Sequence, residues 1–129
     1  MNSILQLMAE ETLYGVRVID MPVFRDRAMR LQGKVLAMQY HGMRLLTMQA
    51  NRQDPGLARL IVKLQACEIN HQLAALAVDA MGEMGLLYHD SPLSRSHGVW
   101  QKRYMFDLAM IIGGGTAQIQ KNLIAERGL

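Results

Sequence analysis

The segment DPGLARLIVKLQACEINHQLAALAVDAMG, residues 54–82, carries the strongest structural signal in this chain. Asp54 and Pro55 are typical of the residue before a helix and of its first turn, and Gly82 is typical of a helix end. The pattern therefore predicts a helix from about Pro55 to Met81. Few of its positions are polar, so its apolar surface is wider than a single stripe and should contact neighbours on more than one side.

A second long helix is predicted before this one. Pro22 suits a first helical turn, and apolar or small residues then recur at alternating steps of four and three. These positions are Phe24, Ala28, Leu31, Val35, Met38, Gly42 and Leu45. Because glycine inside a helix costs about 1 kcal/mol relative to alanine, we expect Gly33 and Gly42 to mark the close approach of a neighbouring helix.

The N-terminal segment has a weaker pattern. From Ser3 to about Tyr14 the apolar residues lie loosely on one face, which predicts a short helix that stops at Gly15. The stretch from Gly15 to Met21 is irregular. Residues 1–21 are therefore expected to be a short helix and a lead-in.

Two shorter helices are predicted after the loop 83–96. They run from about Gly98 to Ile112 and from about Thr116 to Arg127, and three glycines separate them. No segment shows a convincing strand alternation. The predicted fold is all-α, with residues 22–129 forming an antiparallel, up-down four-helix bundle.

Composition limits the class of protein. A chain of 129 residues with 50% hydrophobic residues is long enough for one domain with a buried core. The single cysteine, Cys67, cannot form an internal disulfide, which favours a reducing compartment. No stretch is long and apolar enough to span a membrane, and no secretory leader opens the chain, so we expect a cytoplasmic location.

The charge distribution does not predict a nucleic-acid partner. The net charge is +3, and the region from residue 17 to residue 63 holds nine basic residues against three acidic ones. Such an asymmetry is typical of a solvated helix face, and no aromatic residue is interleaved with these basic residues to stack on bases. The basic residues are Arg17, Arg25, Arg27, Arg30, Lys34, Arg44, Arg52, Arg59 and Lys63.

No metal site is expected. His41 and His71 lie on different predicted helices, and His89 and His97 flank a loop. No pair of these histidines therefore has the spacing of metal ligands.

The three glycines before Thr116 have two interpretations. They can form a helix-to-helix corner that needs positive φ angles, with Thr116 capping the next helix. They can also let an anionic or carbonyl-rich ligand approach the unpaired N–H groups of a helix start. The spacing alone favours the corner; neither a Walker loop nor a dinucleotide fingerprint is present.

The sequence around these glycines belongs to a longer pattern. Residues 111–129 read IIGGGTAQIQKNLIAERGL, a run that closely resembles the C-terminal signature of acyl-CoA dehydrogenases. In that signature, Gly-Gly-Thr-x-Gln/Glu-Ile-Gln precedes a helix that ends in Ala-Glu-Arg. The resemblance covers about residues 22–129, since the runs at 54–56, 81–86 and 100–101 also follow the family's order and spacing.

The resemblance implies an FAD-dependent oxidoreductase that acts on an acyl-CoA thioester. In the family a carboxylate base removes the α-proton while the β-hydrogen leaves as hydride to flavin N5. Family members combine an N-terminal helical domain, a middle β domain and a C-terminal four-helix bundle, and this chain resembles only the bundle. By motif position, Thr116 and Gln118 would contact FAD, and the backbone of Gly113, Gly114 and Gly115 would lie beside the flavin.

A second loop of the family matches less well. Gly82 and Gly85 correspond to a loop that usually receives the FAD of a neighbouring subunit. Asp79 stands where a flavin-contacting Gln is common, and Glu83 stands where a Gly is common. A carboxylate at either position would repel a pyrophosphate.

The chain lacks an evident catalytic base. Many members carry the catalytic Glu two residues before the Thr of the motif, and Gly114 occupies that position here. Other members place the base on the first helix of this domain, which by spacing would precede Met1. The nearest upstream carboxylates, Glu10 and Glu11, form a pair of the kind that is usually solvated. The family's Arg-x-x-Phe-Gly, which reaches the FAD pyrophosphate, is also absent.

The expected function is the C-terminal FAD-binding and oligomerisation portion of an acyl-CoA dehydrogenase, inactive as an isolated chain. The intact parent would use acyl-CoA and FAD, and would form a homo-oligomer or pair with a related subunit. The alternative is a non-catalytic helical scaffold or dimerisation module of the same ancestry that no longer binds flavin.

Overall fold

A computed structural model describes residues 1–88 and 90–128 of the chain. The expectations that involve His89, one of the histidines without metal-ligand spacing, and Leu129, the last residue of the family-like run, lie outside the described residues. The described residues form five α-helices and one small antiparallel hairpin, in the order α1 (Asn2–Glu10), β1 (Thr12–Leu13), β2 (Val16–Arg17), α2 (Pro22–Ala50), α3 (Leu60–Ala80), α4 (Val99–Ile112) and α5 (Ala117–Gly128).

Helix α3 is the central element of the fold. It packs against α1, α2, α4 and α5. Its buried residues are Ile69, Ala74, Leu76, Ala77 and Ala80. The expectation that this helix contacts neighbours on more than one side is confirmed, and so is the all-α helical bundle.

Helix α2 follows the predicted apolar stripe but not the predicted role of its glycines. Phe24, Ala28 and Leu31 are buried, and the later positions of the stripe are half-buried. The expected close approach at Gly33 and Gly42 is wrong, because a Cβ atom at either position would meet no atom within 4 Å. Both glycines face open space in this chain.

The N-terminal segment corrects the expectation of a helix to Tyr14 and of a chain without strands. Helix α1 ends at Glu10, and the next residues form the hairpin in which Thr12 pairs with Arg17. The two turn residues, Tyr14 and Gly15, have φ angles of 53° and 78°. Two consecutive positive φ angles are typical of the tight turns that connect antiparallel strands, and Gly15 supplies one without strain.

The start of α3 is later than predicted. The N–H of Gly56 donates a 2.9 Å hydrogen bond to Asp54 Oδ1, and Gly56 has a φ of 51°, so it does not belong to the α-helix. A 3₁₀ turn over Gly56–Arg59 follows, and α3 begins at Leu60. The predicted end is confirmed, since the helix stops at Ala80 and Gly82 adopts a φ of 55°.

Residues 1–21 contribute to the same core as the bundle. Ile4, Met8 and Val18 are almost completely inaccessible, and they pack with Phe24 of α2 and Leu76 of α3. The core therefore lies between α1, the first third of α2 and the second half of α3. Burial of this kind is the main force that holds α1 in place, because an isolated helix of nine residues is marginal in water.

No described helix is long and apolar enough to cross a membrane. Within residues 1–88 and 90–128, no group of three or more His, Cys, Asp or Glu side chains is arranged to hold a metal ion.

A methionine pair tests the shared core. Met8 is fully buried, whereas Met105 is 60% exposed. We predict that Met8→Ala lowers the free energy of unfolding by about 2–5 kcal/mol, because it removes buried methylene groups and leaves a cavity. Met105→Ala is the matched control and should change stability by less than about 0.5 kcal/mol. Urea denaturation measures both, and equal effects would show that α1 is not part of the core.

Candidate functional site

The candidate site lies where α4 turns into α5. We call residues 113–116 the glycine corner. The N–H of Gly113 donates to the carbonyl of Ala109 at 2.8 Å, which ends α4. Gly114 and Gly115 then adopt φ angles of 70° and 98°, in the region that favours glycine. The interpretation of these glycines as a corner with positive φ is therefore confirmed.

Two side chains outside the corner, one from α3 and one from α5, donate hydrogen bonds to its carbonyl groups. The Lys63 ammonium of α3 donates hydrogen bonds to the carbonyl oxygens of Gly115 and, at 3.2 Å, of Ile111. Gln120, which is 8% exposed, donates from Nε2 to the carbonyl of Gly114 at 2.9 Å. The C-terminal end of a helix carries a partial negative charge, which a nearby cation stabilises. Lys63 therefore stabilises both the end of α4 and the corner.

The N–H groups of the corner are left without protein acceptors. Among the described residues, none accepts a hydrogen bond from the N–H of Gly114, Gly115 or Thr116. Thr116 Oγ1 accepts a 3.5 Å hydrogen bond from the N–H of Ile119, as expected of a helix cap. Gln118 is exposed, and within the described part of the chain its side chain has no hydrogen-bond partner.

This arrangement defines what the corner can do chemically. Its carbonyl oxygens accept hydrogen bonds from the protein. Its free N–H groups lie at the N-terminal end of α5, which carries a partial positive charge. Such a surface suits phosphate oxygens or the carbonyl oxygens of a ring, with Gln118 available as a further donor and acceptor. It has no side chain that could accept a proton at residue 114, which is glycine.

The other predicted glycines have a packing role within the chain. A Cβ at Gly85 would collide with the carbonyl oxygen of Val78, and a Cβ at Gly82 would come within 2.5 Å of the Leu13 side chain. Gln101 of α4 is buried, and its Nε2 donates to the carbonyl of Leu87 at 2.9 Å. The loop after α3 is therefore held tightly against α3 and α4.

The two predicted glycine regions do not meet in this chain. Lys63, which binds the corner, lies near the start of α3, and Gly82 follows its end. At 1.5 Å per residue these positions are about 28 Å apart along the helix. A small ligand bound at one region therefore does not reach the other region of the same chain.

The acidic residues of the second loop differ in their surroundings. Asp79 forms a 2.8 Å ion pair with Arg27 of α2, so its charge is partly compensated. Glu83 is exposed, and no ion pair to it is formed by the described residues. The expected repulsion of a pyrophosphate would therefore come mainly from Glu83.

The upstream carboxylates are engaged with neighbours. Glu10 accepts a 2.9 Å hydrogen bond from Gln6 within α1. Glu11 forms a 2.9 Å ion pair with Arg95, and its side chain is only 15% exposed, so it is less solvated than expected. Arg95 covers Glu11 because the loop before α4 folds back over the end of α1.

Comparison with known proteins places this geometry in a family. The profile described as "Acyl-CoA dehydrogenase, C-terminal domain" matches residues 1–129, so the match extends before residue 22. The chain is 33% identical over 111 residues to acyl-CoA dehydrogenase IpdE1 of Mycobacterium tuberculosis, a stretch that covers 85% of this chain and 27% of that protein. The chain belongs to the acyl-CoA dehydrogenase family and corresponds to its C-terminal domain.

Solved structures agree on the fold. The ChsE4-ChsE5 complex from Mycobacterium tuberculosis matches with a TM-score of 0.79 at 20% identity, over 99% of this chain and 34% of the matched chain. The FAD complex of PigA matches with a TM-score of 0.79 at 16% identity, over 97% of this chain and 30% of the matched chain. The chain thus spans about a quarter of the curated relative and about a third of these structures.

Lys63 was not singled out from the sequence, and its role is testable. Lys63→Met keeps most of the side-chain volume but removes the ammonium. We predict a loss of about 1.5–3 kcal/mol in the free energy of unfolding, because two carbonyl groups lose a charged donor. We also predict faster amide hydrogen exchange at residues 113–120 than in the unchanged protein.

The matched control is Lys34→Met. Lys34 makes one exposed hydrogen bond, to Gln72, on a different part of α3. This change should leave both the stability and the exchange at residues 113–120 nearly unchanged. If Lys63→Met had the same small effect, Lys63 would not hold the corner.

Two Gly→Ala variants distinguish a glycine that is packed against protein from one that faces open space. Gly85→Ala should destabilise the protein by several times the effect of an ordinary surface change, because the new Cβ would collide with the Val78 carbonyl. Gly42→Ala should stabilise it by about 0.5–1 kcal/mol, because Gly42 lies in open helix. Thermal unfolding of both variants checks this, and a destabilising Gly42→Ala would show that α2 is covered at that position.

Proposed function

We propose that this chain is the C-terminal FAD-binding and oligomerisation portion of an FAD-dependent acyl-CoA dehydrogenase, which dehydrogenates an acyl-CoA thioester between its α and β carbons. The chain alone would be inactive. A cytoplasmic location is part of the proposal and rests on the single cysteine, Cys67.

The observation that carries the proposal is the polarity of the glycine corner. Lys63 and Gln120 bind its carbonyl groups, so its free N–H groups form a surface of donors at the start of α5. A flavin ring presents carbonyl oxygens, and the rest of FAD presents phosphates, so the donors fit the group. The glycine corner and the start of α5 occupy the motif that in the family contacts FAD.

The residues of this chain would bind and orient the cofactor. The backbone of Gly113, Gly114 and Gly115 would lie beside the flavin, and Thr116 and Gln118 would donate to it. Bound FAD supplies the hydride acceptor for the reaction. The base that removes the α-proton would come from outside the described residues, because Gly114 has no side chain.

Assembly is the second part of the proposal. Gly82 and Gly85 lie at the opposite end of α3 from the corner, so they would contact FAD only on a neighbouring subunit. Glu83 beside them weakens this contact through its negative charge. We therefore propose a homo-oligomer or a pair with a related subunit.

A flavin-free scaffold is the second candidate. Gly114 at the position of the usual base and the uncompensated Glu83 favour it. In this case the helical bundle would serve only as an interaction module.

The test uses the whole polypeptide that carries residues 1–129, purified with added FAD. We expect a yellow protein that reduces an electron acceptor when acyl-CoA is supplied. Gln118→Ala should weaken flavin affinity about tenfold, since removing a hydrogen bond to a bound group costs about 1–2 kcal/mol. Gln118 is exposed and bonds to no described residue, so its truncation should not change stability.

Gln49→Ala is the control, because Gln49 is also an exposed helical glutamine and lies on α2. It should leave flavin affinity unchanged. A colourless protein without turnover would support the scaffold instead, and an unchanged affinity in Gln118→Ala would remove Gln118 from the site.

A further inference from the structure

Two carbonyl groups of the glycine corner point to the same side. Lys63 donates a hydrogen bond to the carbonyl of Gly115, and Gln120 donates one to the carbonyl of Gly114. The side chains of Lys63 and Gln120 line one small cavity, of about 30 Å³, between α3, α4 and α5. Both carbonyl groups are therefore directed towards this inner side of the corner.

The N–H donors of the same peptide groups point to the opposite side. In a trans peptide bond, which both of these bonds are, the C=O and N–H groups point in opposite directions. The carbonyl of Gly115 shares its peptide group with the N–H of Thr116, and the carbonyl of Gly114 shares its peptide group with the N–H of Gly115. By holding the two carbonyl groups, Lys63 and Gln120 therefore direct two N–H groups outwards, and neither has an acceptor among the described residues.

Lys63 differs from Gln120 in its charge. Its side chain is half-buried, and its ammonium forms no ion pair with a described residue. Hydrogen bonds from a charged donor are stronger than neutral ones, and hydrogen bonds that follow one another polarise each other. The N–H of Thr116 is therefore a stronger donor than the N–H of Gly115, whose peptide group is bonded to a neutral amide.

The ammonium of Lys63 is also close enough to act on a group that is bound outside the corner. One peptide group with a hydrogen bond at each end spans at most about 8 Å from the donor nitrogen to the bound acceptor. The Debye length at physiological ionic strength is also about 8 Å, and partly buried charges are screened less than exposed ones. An electron-rich group bonded to the N–H of Thr116 is therefore stabilised by this charge.

We propose that Lys63 is a positioning residue of the FAD site, which acts through the Gly115–Thr116 peptide group and makes the site bind reduced flavin more tightly than oxidised flavin. Reduced flavin holds two more electrons, so a polarised donor and a nearby cation favour it. Lys63 itself does not touch the flavin. This inference rests on the proposed FAD site and adds to the anchoring of the corner an effect on the electron affinity of the bound cofactor.

The reduction potential of the whole polypeptide that carries residues 1–129, loaded with FAD, tests the proposal. Lys63→Met removes the charge and should lower the preference for reduced over oxidised flavin about tenfold, which lowers the two-electron potential by about 30 mV. Lys63→Arg keeps the charge and should change this preference less than about threefold. Stepwise reduction beside a dye of known potential measures all three proteins.

Two control variants separate the charge from the anchoring. Gln120→Met removes the other anchor of the corner but no charge, so it should change the preference less than about threefold. Lys34→Met removes one charge at an exposed position that is bonded to Gln72, and it should change nothing. Circular dichroism checks the fold, and Lys63→Gln, which keeps a polar side chain, replaces Lys63→Met if that variant does not fold.

A second measurement needs no flavin. Residues 1–129 contain three threonines, Thr12, Thr47 and Thr116, so nitrogen-15 labelling of threonine gives few amide signals. Polarisation by a hydrogen-bonded cation shifts an amide proton downfield. In the flavin-free polypeptide, Lys63→Met should therefore move the amide proton of Thr116 upfield, whereas Thr12 and Thr47, on β1 and α2, should stay unchanged.

Four outcomes would overturn the proposal. An unchanged potential in yellow Lys63→Met would leave the FAD proposal standing and refute the effect of the charge. An equal fall of the potential in Gln120→Met would assign the effect to the shape of the corner, and an unmoved Thr116 signal would refute the polarisation. A colourless polypeptide without substitutions would refute both this inference and the FAD proposal.

Discussion

The burial of α3 is the constraint on which the rest of the structure depends. Leu76, Ala77 and Ala80 are inaccessible, and the helix is covered on several sides by α1, α2, α4 and α5. Each square ångström of apolar surface removed from water contributes about 25 cal/mol, so a helix that is apolar on most sides stabilises every element that covers it. The small alanines also allow the neighbouring helices to come close.

The same helix connects the core with the candidate site. Lys63, in the first turn of α3, binds the carbonyl groups of Ile111 and Gly115, and thereby ties the end of α4 and the start of α5 to the central helix. At the other end of α3 the loop with Gly82 and Gly85 packs against Leu13 and Val78. Packing at the two ends of α3 thus fixes two separate surfaces, and α3 sets the distance between them.

Much of this arrangement can be predicted from the residues, and the exceptions have physical reasons. Gly82 ends α3 as expected, and the inner stripe from Phe24 onward faces the core, because both follow from local backbone and periodicity. The hairpin at Tyr14 and Gly15 is not predictable from the sequence, because two-residue strands have no periodicity to detect. The glycine corner was foreseen, but Lys63 and Gln120 were not, since their bonds depend on how α3 and α5 pack.

The function proposed for this chain requires that the glycine corner faces flavin. The most direct measurement is an experimental structure of the whole polypeptide with FAD bound. We expect flavin oxygens or phosphates within hydrogen-bond distance of the N–H groups of the corner, of Thr116 or of Gln118, with Lys63 still bonded to the carbonyl groups behind them. A flavin bound elsewhere, or a corner covered by protein, would contradict it.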